Sequence, residues 1–290
     1  MRCNIIIGSE ALASGAVTRR GLARGYVRLH RDVYAPTGLT LTPRDRAYAA
    51  WLWSGRRAIL VGHSAAAILG SKWIPDDAPV EIAHTRRPAT DGIVVRSDTL
   101  ADDEVEYLDG FWCTTPERTA YDLGRRLPLD TAIIRIDALL NMTWAKPARV
   151  ANIAERYPGA RGIRHLRTAL HLVDGGAESP QETRLRLLLV RAGLPRPITQ
   201  IPVGRRRIDM GWPDCLVGVE YDGERHFANP DDYAADIERL EFLASQGWSI
   251  VRVSSRQLRY QQDRIVARVS AARRRAGCSQ LSPIARSGYR

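Results

Sequence analysis

The sequence predicts an α/β chain in two parts: an N-terminal α+β half opening on a winged-helix-like module, and a C-terminal core ordered αβββαβα. Three observations carry this. Ile198 to Val203, Arg207 to Met210 and Leu216 to Tyr221 are short apolar runs separated by Gly and Pro, and they read as consecutive strands. The stretch Asp174-Gly175-Gly176-Ala177-Glu178-Ser179-Pro180 breaks the helical pattern between the halves. With 290 residues the chain exceeds one average domain, and its 44% hydrophobic content suffices for two cores. The expected divisions are 1–176, 177–276 and a basic, disordered tail over 277–290.

Taken in order, Ser9 to Ser14 and Thr18 to Arg24 are short helical stretches around a tight Gly15-Ala16-Val17 turn. Tyr26 to Tyr34 then alternates like a strand pair, completing a helix-turn-helix with a wing over about 8–36. Arg19, Arg20 and Arg24 on the second helix suit entry into the DNA major groove, and Arg28 and Arg31 on the wing suit phosphate contact. Any arginine-rich helix has the same spacing. A second subdomain over about 40–145 carries helices at Pro43 to Trp53 and Ser64 to Leu69, strands at Pro79 to His84 and Gly92 to Arg96, and helices at Pro116 to Arg126 and Leu129 to Asn141. A helical connector, about 146–176, includes Ile163 to Val173. Trp51, Trp53 and Trp73 sit in apolar helical stretches and read as packing residues.

Beyond the break, Ser179 is an N-cap with Pro180 at the first helical position, and the helix runs to Ala192 before Gly193 and Pro195 stop it. Its apolar face is Leu185, Leu188 and Leu189. After the three strands, Tyr233 to Ser245 is amphipathic and ends at Gly247. Trp248 to Val253 alternates as a fourth strand, and Arg259 to Arg275 is the last helix.

The formal net charge of +11 comes from 43 Lys plus Arg against 32 Asp plus Glu and is nearly all arginine, so nucleic acid is the first partner to consider. An arginine-biased composition alone yields the same excess. Cys3, Cys113, Cys215 and Cys278 are scattered, without Cys-x-x-Cys pairs or zinc-ligand spacing, which points to reduced thiols and a cytoplasmic home. No apolar run approaches the roughly 18 residues of a membrane span.

The candidate chemistry lies in the strands. Side chains two apart project from one face, so Glu220 and Asp222 stand together, and Asp209 lies 11 residues before Glu220, the separation of neighbouring strands joined by a short loop. Such carboxylates share a site when a cation offsets their repulsion, which points to Mg²⁺ or Mn²⁺ acting on a phosphodiester. Each acid taken singly also fits an ordinary strand end or turn. His226, just beyond, is a candidate catalytic group in this company and a surface or capping group without it. Gln257 is a weaker candidate for a phosphate contact, and Asp236 with Arg239, at i and i+3, reads as a structural ion pair.

Ser179-Pro180-Gln181-Glu182, Leu185-Arg186, Arg191-Ala192-Gly193-Leu194-Pro195, Ile208-Asp209, Val219-Glu220-Tyr221-Asp222-Gly223, His226, Asp236 with Arg239, and Gly247-Trp248 through Arg252-Val253 together resemble the Vsr-like branch of the PD-(D/E)XK nuclease superfamily, over about Glu178 to Ala272. The resemblance implies a restriction-endonuclease-like fold with Asp209, Glu220 and Glu182 as metal ligands and His226 as general acid or base or as a group orienting the phosphate. The wider superfamily usually has Lys two residues after the second acid; this chain has Asp222, in the Glu-x-Asp-Gly form common in this branch.

Arg28 to Pro36 and Thr114-Thr115-Pro116-Glu117-Arg118-Thr119-Ala120-Tyr121-Asp122-Leu123 resemble the AbiEi-type antitoxin and regulator family, over about 8–145, with a leading helix of that family expected to be lacking. Thr115, Arg118 and Asp122 then belong to its second subdomain. These resemblances imply a metal-dependent DNA endonuclease or nickase targeted by a DNA-binding module. The alternative is a catalytically inactive regulator or antitoxin with DNA and a cognate toxin as partners.

Overall fold

A computed structural model describes residues 4–84, 90–223 and 230–278, and internal contacts divide the chain into Met1–Val173 and Asp174–Arg290. The α/β class expected from the sequence holds. The first unit opens with β1 (Ile6–Ile7), α1 (Gly8–Ala13), α2 (Arg19–Gly25), β2 (Tyr26–His30) and β3 (Val33–Pro36). Thr18 starts α2 by accepting a hydrogen bond from the Gly21 N–H at 3.0 Å, the contact that Thr supplies at an N-cap. The three strands form an antiparallel sheet, β1-β3-β2, whose Val33 and Ala35 are buried. Arg19, Arg20, Arg24, Arg28 and Arg31 remain exposed, and among the described residues none forms an ion pair.

There follow α3 (Pro43–Trp53), β4 (Ile59–Leu60), α4 (Gly62–Ile68), β5 (Val80–Ala83), β6 (Ile93–Arg96), β7 (Val105–Leu108), β8 (Phe111–Thr114), α5 (Pro116–Arg126), α6 (Leu129–Met142), α7 (Pro147–Arg156) and α8 (Ile163–Leu172). The strands make a mixed sheet ordered β6-β5-β4-β8-β7. Alanines 47, 49, 50 and 65 on α3 and α4 let these helices approach Leu60, Ile82 and Cys113 in one core. Trp53 is buried and Trp51 packs against the same core. Trp73 departs from the packing role expected of it: it is 53% exposed, at a position with φ of 64°, because the chain turns there instead of continuing a helix.

On α5, Arg118 is buried and bridges Glu104 and Asp122 while donating to the Thr99 carbonyl at 3.2 Å. Thr115 caps the helix, accepting from the Arg118 N–H at 3.3 Å. These groups are fully engaged with one another. A buried guanidinium satisfied in this way reads as scaffold, since removing one partner strands a charge.

The second unit contains α9 (Pro180–Arg191), β9 (Ile198–Val203), β10 (Arg206–Trp212), β11 (Val217–Asp222), α10 (Pro230–Ser245), β12 (Ser249–Ser254), α11 (Ser255–Tyr260) and α12 (Gln262–Arg275). Its sheet is ordered β12-β11-β10-β9, with β11 and β12 parallel and the other pairs antiparallel. Leu185 and Leu189 of α9 and Ile265, Val269 and Ala272 of α12 pack with Val217, Val219, Val251 and Val253. Ile208, Leu243 and Trp248 form a smaller cluster with Ile201. Gly247, with φ of 82°, ends α10: its N–H reaches Ala244 O and the Trp248 N–H reaches Leu243 O at 3.0 Å, turning Trp248 inward. The expectation of reduced thiols fails at one pair, because the turn before β11 brings Cys215 against Cys278 in a disulfide with Cα atoms 5.3 Å apart. Their separation of 63 residues hid the pairing from a spacing argument. Cys113 is free and buried.

Candidate active site

The ladder between β10 and β11 positions the first two acids. Met210 pairs with Val219, so the next residues along, Asp209 and Glu220, stand beside each other. Asp209 Oδ2 accepts the Tyr221 N–H at 2.8 Å, which ties the carboxylate across to the neighbouring strand. The third acid comes from α9. Ser179 caps that helix by accepting from the Glu182 N–H at 3.2 Å, and the Glu182 carboxylate accepts from the Glu178 N–H at 2.9 Å and from Gln200 Nε2 at 3.2 Å.

Electrostatics couples the three. Burial, followed by the charge of Glu182, pushes the Asp209 carboxyl up to about 7; the Tyr221 hydrogen bond opposes this and the Glu220 charge adds to it. Burial likewise raises Glu182. No ion pair reaches Asp209 or Glu182 among the described residues, so the half-buried Asp209 and the buried Glu182 carboxyls lie near each other without a paired cation. Glu220, only 4% exposed, is bound bidentately by Arg239 at 2.5 and 3.0 Å.

Arg239 is the site residue that sequence reasoning undervalued. Its i, i+3 pair with Asp236 is present at 2.8 Å, yet the same guanidinium spans to Glu220. Arg252, beside Glu220 in the parallel register of β11 and β12, binds Asp236 at 2.7 Å and Asp222 at 2.6 Å. A chain of alternating charge therefore runs Glu220, Arg239, Asp236, Arg252, Asp222. It leaves Asp222 Oδ1 buried and without a hydrogen bond. The side-chain alternation that selected Glu220 and Asp222 also puts Arg252 on that face, and this was the available signal.

Asp209, Glu220, Asp222, Asp236, Arg239 and Arg252, with Arg206 at the rim, line a cleft of about 520 Å³. Glu182 couples to Asp209 from α9. Gln257 is engaged locally: its carboxamide oxygen accepts the Ser254 N–H at 3.1 Å in the box that caps α11. His226 lies outside the described residues.

Among the described residues no three His, Cys, Asp or Glu side chains are gathered closely enough to hold a metal ion as they stand, and Arg239 takes both oxygens of Glu220. The donor chemistry nonetheless fits a hard dication. Asp209, half-buried, and Glu182, buried, are oxygen donors whose carboxyls are raised chiefly by desolvation, and Glu220 extends the set.

Residues 182–272 match the family model REase_MTES_1575, a restriction-endonuclease-like family, so the C-terminal domain is restriction-endonuclease-like and of a kind found in nucleases. Two proteins of Mycobacterium tuberculosis are similar over both units. "Uncharacterized protein MT2308", from strain CDC 1551 / Oshkosh, and "Uncharacterized protein Rv2248", from strain ATCC 25618 / H37Rv, are each 29% identical over 256 residues, spanning 85% of this chain and 92% of the relative.

Proposed function

We propose that the chain is a metal-dependent DNA endonuclease or nickase of the Vsr-like kind, with Asp209, Glu182 and Glu220 as ligands to Mg²⁺ or Mn²⁺. The observation that supports it is the half-buried Asp209 carboxyl, raised to about 7 beside Glu182 and Glu220 within a restriction-endonuclease-like domain. A dication bound there supplies positive charge against the phosphate and acidifies a water for in-line attack. The chain's own groups do the rest. Arg206 and Arg239 bring positive charge to the cleft that receives the phosphate. Arg252 holds Asp222, which stands at the usual lysine position, out of the metal set. His226 takes the general acid or base role that the resemblance assigns it.

Targeting falls to the first unit, read as a winged helix of the AbiEi kind: α2 presents Arg19, Arg20 and Arg24 to the major groove, and Arg28 and Arg31 on β2 and the turn after it contact phosphate. Incubation of supercoiled plasmid with the protein and Mg²⁺ or Mn²⁺ tests the whole reading. The expected outcome is nicked or linear DNA with the wild type and at least a hundredfold less with Asp209→Ala, in line with losing a metal ligand. Equal nicking by both, or none by either, overturns it.

One observation favours a second reading. With Glu220 clasped by Arg239 and Asp222 by Arg252, the acids are neutralised by the protein itself, as suits a catalytically inactive scaffold serving a DNA-binding regulator or a toxin-neutralising antitoxin. Metal-independent binding to the DNA upstream of its own coding region, abolished by Arg19→Ala, Arg20→Ala and Arg28→Ala together and accompanied by no cleavage, is its signature.

A further inference from the structure

A second basic feature of the Asp174–Arg290 unit is not used by the carboxylate cleft. α11 follows β12 without a loop and buries Leu258, which turns Arg256, Arg259 and Tyr260 out to solvent. Arg184, on the exposed side of α9, joins them, and with Gln181 and Gln262 they line a groove of about 740 Å³. Among the described residues no carboxylate pairs with Arg184, Arg256 or Arg259. Arg184 donates to the Gln181 side-chain oxygen at 3.0 Å, and the Arg259 guanidinium lies over the Tyr260 ring, 5.2 Å from its centroid.

Three uncompensated guanidiniums, two carboxamides and an aromatic ring left 68% exposed form a particular chemistry. Guanidiniums fit phosphates, carboxamides fit base edges, and a ring beside an arginine stacks a base. The location agrees. Asp222 pairs with Ser254 in the parallel ladder and α11 begins at the next residue, while Gln181 and Arg184 flank Glu182 on α9. The groove thus starts at the end of the sheet that carries the acids. An intact duplex turns its phosphates outward and hides its base faces, so Tyr260 gains contact only from a base that has left the stack.

We propose that this groove binds an unpaired stretch of nucleic-acid strand beside the cleft, with a base stacked on Tyr260 and phosphates on Arg184, Arg256 and Arg259. The strand's relation to cleavage rests on the nuclease reading; its binding needs no metal and no cleavage.

The test uses the full chain in EDTA and fluorescence anisotropy with labelled oligo(dT), oligo(U) and a blunt duplex of equal length. Tyr260→Ala weakens oligo(dT) binding about tenfold, Tyr260→Phe leaves it intact, and neither changes duplex binding. Arg256→Ala with Arg259→Ala lowers the slope of log affinity against log salt by about 0.7 for each phosphate that is no longer neutralised. An equal weakening on oligo(U) extends the groove to RNA strands, and a weakening on oligo(dT) alone confines it to DNA; both support it. Unchanged oligo(dT) binding by Tyr260→Ala at wild-type melting temperature overturns the proposal, as does an equal weakening on duplex. A chain that nicks no plasmid yet shows this pattern keeps the groove and loses the nuclease; one that nicks while Tyr260→Ala binds like wild type does the reverse.

Discussion

Asp209 shows how desolvation and neighbouring acids act together on one half-buried carboxyl. Its value of about 7 lies above the ordinary Asp value of 3.8, so folding takes up a proton there. The stability this contributes is fully present below about pH 4 and is lost as pH rises through about 7. In EDTA the melting temperature of the wild type therefore falls between pH 5 and pH 8, and Asp209→Asn flattens that fall and melts higher at pH 8, by about 2–4 °C for each kcal/mol relieved. Parallel pH profiles for the two proteins contradict the assignment. Arg239 has the opposite sign: Arg239→Ala strands Glu220, leaves Asp236 to Arg252 alone, and lowers stability by about 1–3 kcal/mol in urea unfolding, the partly exposed guanidinium moderating the cost of a broken buried pair. The same variant frees Glu220 and binds Mn²⁺ more tightly than wild type. The grouping of Asp209, Glu220 and Asp222 along one cleft was legible, since alternation and spacing place them together. The arginines that clasp them were not, because an i, i+3 pair does not disclose a second partner reached across a sheet.

At the scale of elements, the helices whose ends carry chemical punctuation were the legible ones. Ser179-Pro180 opens α9 and Gly247 closes α10, where the sequence places both signals. Ser179→Ala removes the cap of α9 and destabilises by about 1 kcal/mol, and it relaxes the turn that aims Glu182, so nicking falls with it. Elements without such signals were missed. β4 has two residues, too few for a period, and β7 and β8 expose Tyr107 and Trp112, which breaks the usual correspondence of aromatic and buried. α11 follows β12 directly, and the box of Ser254 and Gln257 starts that helix, where the sequence alone suggests a phosphate contact for Gln257. The Cys215–Cys278 bond closes a loop that holds β11, α10, β12, α11 and α12 and leaves α9, β9 and β10 outside it. In a chain-entropy account, reduction lowers the stability of this unit by about 4 kcal/mol, measurable as a shifted urea midpoint with and without reductant.

Over the whole molecule, positive charge is set out in separate places: the exposed arginines 19, 20, 24, 28 and 31 on the first unit, the groove around Tyr260 on the second, and a cleft where arginine and carboxylate alternate. The excess of +11 was legible from composition, but its distribution required the fold. In EDTA, affinity for duplex falls steeply with salt, by about 0.9 in log–log slope per phosphate neutralised, and replacing Arg19, Arg20, Arg24, Arg28 and Arg31 by Ala reduces that slope. A flat dependence removes nucleic acid as the partner. The central claim is that Asp209, Glu182 and Glu220 share one dication, and calorimetric titration of Mn²⁺ at pH 7 reads it most directly. The expected result is one ion bound per wild-type chain with release of about half a proton, since Asp209 is about half protonated at that pH, and no uptake by Asp209→Asn. Uptake by the variant equal to wild type, or none by either protein, contradicts it.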